Sequence, residues 1–219
     1  MKLIAELTRL ELDGSWSLEE LSDITRDYNQ VYGFAYSLLP DLTDSRQDEI
    51  NYVYGKFPWR GGFSTVNFFG QLFHKIPIDL RPQIKKLKYE SPGYIEVAAI
   101  IAVATTVAVF VDKIVSSMSK IHDLYLKILK ARTEHKLSQI NLAHETLKLS
   151  AAQIEFATKS SDQLAKAFGL TIQQQHLLDK RVNSNPVMKL KILLSVYRRL
   201  KPIADRQADG RINVRRDPP

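Results

Sequence analysis

Residues 90–114 read Glu-Ser-Pro-Gly-Tyr-Ile-Glu-Val-Ala-Ala-Ile-Ile-Ala-Val-Ala-Thr-Thr-Val-Ala-Val-Phe-Val-Asp-Lys-Ile. No charge interrupts the run from Val97 to Val111. Ser91 is a good helix N-cap, and Pro92 suits the first helical position, where its missing N–H costs nothing. Glu96 lies near the first turn, where a carboxylate meets the positive end of the helix dipole. Neither Gly nor Pro recurs between Gly93 and Gly169. The spacing therefore predicts a helix from Pro92 with no composition-based reason to stop. The β-branched content argues the other way, but fifteen residues is long for a strand.

A membrane span needs about 20 apolar residues. This run is shorter, and every extension crosses Glu96 or Asp112. Two alternatives stay open, a helix buried on all sides and a short or tilted span. The small residues Ala98 and Ala102, and Ala104 and Ala108, lie four apart. On a helix they would let two copies approach closely, and they are the candidate self-association residues.

Outward from the run, the two halves of the chain differ. Residues 1–90 hold 11 Lys+Arg and 13 Asp+Glu. Residues 180–219 hold 11 and 3, so the overall charge of +7 belongs to the C-terminal end. End-loaded positive charge points to a polyanion, either nucleic acid or an anionic membrane surface. The candidate contacts are Lys189, Lys191, Arg198, Arg199 and Lys201 on an amphipathic helix, with Arg211, Arg215 and Arg216 from the tail.

Within the first ninety residues, Thr8, Leu10 and Leu12 alternate with polar residues as in a strand. Ser17 and Glu20 form a capping box, and Trp16 with Leu21 fits a hydrophobic staple. The helix they start runs to Pro40. Residues 40–49 read as an acidic loop and 50–62 as an irregular aromatic stretch. A short helix spans 63–73, and a second strand covers 85–89. The two strands could pair in one sheet.

After Asp112 the pattern is helical, with one stripe through Ile128 and a second, out of phase, from Leu137 to Ile154. A continuous helix over 92–158 would be a rod of about 100 Å. Such a rod calls for self-association of the coiled-coil kind or for packing against the later helices. Ser160-Ser161-Asp162 and Thr171 can each cap a further helix. Asn183-Ser184-Asn185-Pro186 is a turn, and a last amphipathic helix runs from 187 to 200, ended by Pro202.

The junction Tyr89-Glu90-Ser91-Pro92-Gly93-Tyr94-Ile95-Glu96 resembles one in uncharacterised bacterial proteins with an α+β head and a helical tail. The resemblance covers residues 1–130. It implies a bacterial origin and a similar layout, and no activity.

No catalytic set stands out. The five histidines share no metal-ligand spacing, and the chain has no cysteine, so disulfides and thiolate sites are excluded. Arg60-Gly61-Gly62-Phe63-Ser64 precedes a helix but lacks a following Lys, and reads as a plain turn. No cofactor or small-molecule substrate is implied. The first residues do not resemble a secretory signal, so the cytoplasm or the cytoplasmic face of the inner membrane is expected.

The expected fold is α+β and predominantly α. A small α+β head (1–90) precedes a helical body (91–202) holding the apolar run 97–111, and a disordered basic tail (203–219). The expected function is that of a non-enzymatic scaffold or effector that self-associates through its helical body, with membrane association through the apolar run left open. The rival is a nucleic-acid-binding module that uses the basic end.

Overall fold

The computed structural model of the chain describes residues 3–57, 65–135, 137 and 149–214. The described α-helices and strands are, in order, β1 (Ala5–Leu12), α1 (Leu18–Ser37), α2 (Asp44–Lys56), α3 (Val66–His74), β2 (Gln83–Lys88), β3 (Gly93–Ile100), α4 (Ile101–Ser116), α5 (Met118–Glu134), α6 (Ala151–Ala167), α7 (Ile172–Arg181), α8 (Pro186–Ala208) and β4 (Ile212–Val214), with a 3-10 turn at Ile78–Leu80 before β2. The fold is α+β and predominantly helical, as the patterning predicts.

The decisive stretch divides in two. Gly93–Ile100 is a strand, and the helix begins only at Ile101. Gly93, Ile95, Val97 and Ala99 are buried on one face, while Tyr94, Glu96 and Ala98 are half-buried on the other. That alternation is a strand's period, but apolar Ala98 on the outer face hides it in the sequence. The sheet order is β2-β3-β1-β4, with every neighbouring pair antiparallel. β3 therefore lies between the two strands expected from sequence and separates them. Ser91 and Pro92 belong to the β2–β3 turn, not to a helix start.

α4 is the continuation of that strand into the core. Val103, Ala104, Val107, Ala108, Phe110, Val111 and Ile114 are all buried, against α1 and α8 among others. Burial within the chain thus accounts for the lack of charge. No single described helix is long and apolar enough to cross a membrane, and α4 and α5 meet that test only together, bent by 91°. The long rod is likewise absent. The backbone turns sharply at Ser117, and α5 ends at Glu134. The second stripe lies largely outside the described residues, as does the Arg60–Ser64 turn.

Several boundaries change. The acidic segment after Thr43 is helical in α2, which continues to Lys56 through part of the stretch expected to be irregular. Ser160 and Ser161 do not cap a helix. They are small buried residues inside α6, which packs on α8, and the cap is Ser150 with Gln153. α8 continues through Pro202 to Ala208, and β4 follows it to pair with β1. The chain between 203 and 214 is thus ordered structure rather than tail. The division at residue 90 also fails, because β3 and β4 complete the sheet and α1 packs on both α4 and α8.

Other signals hold. The Ser17–Glu20 capping box is present, and so is one at Thr171–Gln174. Asn183 and Ser184 adopt left-handed φ of 50° and 54° in the expected turn, and Asn185 caps α8.

Candidate functional site

α8 carries five of the predicted polyanion contacts, but it is a central helix with most of its residues buried. Lys189 is 4% exposed and lies 2.9 Å from Asp162 and 2.8 Å from Asp179. Burial opposes its charge, yet the hydrogen bonds to Asp179 and Asp162 outweigh that and raise its pKa. Arg199 is also buried. Its guanidinium stacks 4.0 Å from the Phe69 ring centroid, with Gln30 Oε1 and the Ser195 carbonyl as acceptors. Burial above all pushes its pKa down to about 10. Lys201 pairs with Asp205 at 2.6 Å and Arg211 with Glu20 at 2.9 Å. These four side chains are thus engaged in holding the fold.

The remaining cations form a group. Lys191 and Arg198 lie seven residues apart on one face of α8, with Ser195 between them accepting from Arg198 Nη2 at 2.7 Å. Burial, and then the charge of Arg198, push Lys191 down to about 8. Arg132 at the end of α5 is lowered by burial and by the same Arg198 charge, with Tyr125 opposing. Arg198 itself is exposed. Arg215 and Arg216 lie outside the described residues.

The alanines are separated. Ala98 is on β3, whereas Ala102, Ala104 and Ala108 are on α4. Ala104 and Ala108 are buried in the chain's own core, so they present no seam to a second copy.

β4 is held at the sheet edge partly by electrostatics. Arg211 Nη1 donates to Glu20 Oε1 at 2.9 Å, beside an open polar cleft of about 560 Å³ that also takes in Asp13, Ser15 and Asp209. The hydrogen bond from Arg211, then that from the Ser17 backbone N–H, lower Glu20 from 4.5 to about 2. A carboxylate lowered in the folded state adds stability that is full above its unfolded pKa and is lost as pH falls toward its folded one. Glu20→Gln should therefore be less stable than the unmodified chain at neutral pH. The difference should shrink as pH falls from about 4.5 to about 2. Urea melts at three pH values measure it, and a pH-independent difference would assign the loss to the helix cap instead.

The site that stands apart from this closed core is the β2 side of the sheet. β2 is an edge strand with Gln83–Leu87 exposed. Ile84 is 60% exposed and Leu87 50%, flanked along the chain by Ile78 at 74% and Tyr89 at 71%. Ile84 sits opposite Val97 and Leu87 opposite Ile95, both buried on the inner face. A register shift between Ile84 and Lys86 puts Ile84 and Leu87 on the inner face although they are three apart. Next to them a groove of about 220 Å³ opens between α1 and the sheet, lined by Thr25, Tyr28, Pro82, Ile84, Ile95 and Val97 among others.

The opposite face of the same strand is polar. Lys86 lies opposite Glu96, which lies opposite Arg9, with Arg9 Nη2 3.1 Å from Glu96 Oε2. Lys88 lies opposite Tyr94, whose ring centroid is 4.5 Å from the Arg9 guanidinium. Sequence reading found the strand but not the apolar pair, because the shift changes the alternation. The available signal was two aliphatic residues within a lysine-rich strand.

Among the described residues no group of three or more His, Asp or Glu is placed to hold a metal ion. What the arrangement offers is recognition: a strand at the edge of the sheet among the described residues, an apolar inner rim and a lysine-bearing outer one. Comparison with family models, with characterised proteins and with solved structures finds no match to this chain, so its own residues carry the functional argument.

Proposed function

We propose that this protein is a non-enzymatic interaction module, a scaffold or adaptor component that engages another protein through the β2 side of its sheet. The observation that supports it is the pair Ile84 and Leu87, left in solvent on an edge strand beside a groove, while Val97 and Ile95 opposite them on the same face are buried. Such a rim is an aggregation hazard unless a partner uses it. The candidate surface is the sheet edge rather than the alanine pairs of the apolar run.

The test compares partners captured by three forms of the chain. Ile84→Thr/Leu87→Thr keeps β-propensity and removes the apolar rim. Ile172→Thr, at an exposed position on α7, is the control. An identified partner held by the unmodified chain and the control, and lost with the double variant, supports the reading. Equal capture by all three forms removes it.

A second reading, contact with a polyanion, is favoured by the grouping of Arg132, Lys191 and Arg198. Like charges brought together raise the local potential, and a bound phosphate relieves it. Arg198→Gln should then elute from heparin at lower salt and reduce the salt slope by about one contact. Lys189→Gln, which breaks an internal ion pair, should change stability more than elution. Elution of Arg198→Gln with the unmodified chain ends this reading.

A further inference from the structure

We infer that the occupant of the β2 edge is an extended segment of a different protein, in which acidic and apolar residues alternate. The inference rests on the interaction-module reading above and specifies its partner. A strand added to β2 continues the sheet's hydrogen-bond ladder, and its side chains fall alternately on the two faces. Those on the inner face meet Ile84, Leu87 and the groove lined by Tyr28, Pro82 and Val97. Apolar side chains are matched there. Those on the outer face come beside Lys86 and Lys88; a carboxylate there pairs with Lys86 across the strands and competes with Glu90, 2.7 Å from Lys88 Nζ, for the second lysine.

The same charges argue against a second copy of this chain. β2 reads Gln-Ile-Lys-Lys-Leu-Lys, so an antiparallel β2–β2 pair sets lysines close to lysines. Edge lysines and a bulge are ordinary devices against self-pairing. Here they stand next to exposed Ile84 and Leu87, which a purely protective edge would omit. Repulsion of like strands with attraction for an acidic one is specificity by charge.

The experiment uses the full chain and fluorescein-labelled ten-residue peptides, read by anisotropy and by hydrogen exchange of the β2 amides. One peptide alternates Glu and Val, a second alternates Lys and Val, and a third holds the first's residues in two blocks. The Glu/Val peptide should bind about tenfold tighter than either other, and it should slow exchange within residues 83–88. Lys86→Glu/Lys88→Glu should reverse the preference toward the Lys/Val peptide. Lys86→Gln, the milder variant, should weaken the Glu/Val peptide alone, which keeps the test open if the double reversal does not fold.

If the Lys/Val peptide binds as well as the Glu/Val peptide and Ile84→Thr/Leu87→Thr abolishes both, the acidic partner is wrong while the edge reading stands. If no peptide changes the exchange of residues 83–88, both are wrong. If heparin displaces the Glu/Val peptide and Ile84→Thr/Leu87→Thr binds it unchanged, charge alone is responsible and the inference fails.

Discussion

Gly93→Ala is expected to destabilise the chain by about 3 kcal/mol, lowering its melting temperature by roughly 6–12 °C. A Cβ at Gly93 would lie 2.5 Å from the Glu90 carbonyl oxygen, closer still to that of Lys88, and 3.1 Å from the Glu90 nitrogen. These are backbone atoms of the turn that joins β2 to β3, so no side chain can swing aside. The turn also sets the register of the edge strand, so peptide binding should fall with stability. Three other glycines provide the scale. Gly33 brings α1 against α3, and its Cβ would meet the Phe73 nitrogen at 2.8 Å. Alanine there gains helix propensity of about 1 kcal/mol against the clash, so its net loss should be smaller. Gly55 and Gly70 sit in helices with nothing within 4 Å of a new Cβ, and alanine at either should stabilise by about 0.5–1 kcal/mol. Thermal melts of the four variants give the order directly. Gly93→Ala as stable as Gly70→Ala would mean the turn is not held as described.

The second large effect is at Arg181. This residue is 5% exposed, and three neutral acceptors surround its guanidinium. Nε donates to the Ser37 carbonyl at 2.8 Å, Nη1 to Asn51 Oδ1 at 2.7 Å and Nη2 to Gln47 Oε1 at 2.5 Å. Its face lies 6.0 Å from the Tyr54 ring centroid, and the Tyr54 hydroxyl is 2.9 Å from Ser37 Oγ. One side chain thus ties α7 to α1 and α2. Arg181→Ala leaves a cavity, strands the carbonyl of buried Ser37 without its donor and unties α7 from Gln47 and Asn51, and should cost about 3 kcal/mol. Arg181→Lys keeps the charge but cannot present the same planar fork, so it should recover less than half of the loss. Urea unfolding of both variants decides. A lysine variant as stable as the unmodified chain would show that charge, not geometry, is what the site needs.

Local rules were legible wherever one short motif settles the backbone. The capping box at Ser17, the cap at Thr171 and the turn before Pro186 all stand as the sequence predicts. The S-x-x-Q box at Ser150 carries the same signal, but it lies within a helical pattern that runs from Leu137 to Ile154 and masks it. The apolar run was harder for a physical reason. A strand covered on one face and carrying only Glu96 as a charge on the other has little to mark its period, and it flows into a buried helix at Ile101 without a breaker. The cations of α8 were misplaced for a related reason. On a helix buried nearly all round, a lysine such as Lys189 must be neutralised by neighbouring segments, and the carboxylates of Asp162 and Asp179, themselves partly exposed, come from two other elements. A sequence pattern shows that a residue is charged, but not which distant segment will neutralise it. The exposed rim at Ile84 and Leu87 depends on a register shift and on how far α1 reaches across the sheet. Both are properties of assembly.

The pairing of Leu10 with Val214 has a consequence for the path by which the chain reaches its fold. β1 takes one neighbour from residues 93–100 and the other from residues 212–214, so its two ladders close loops of very different size. Contacts between residues so far apart in sequence form slowly, because the entropy of closing the loop is lost before the contact is gained. During synthesis β1 therefore emerges long before either neighbour, and it then waits with one edge bare until the residues after α8 arrive. Leu10 and Leu12 on that strand are core residues, so the vulnerable interval in the life of this protein is the one before its last described strand has docked.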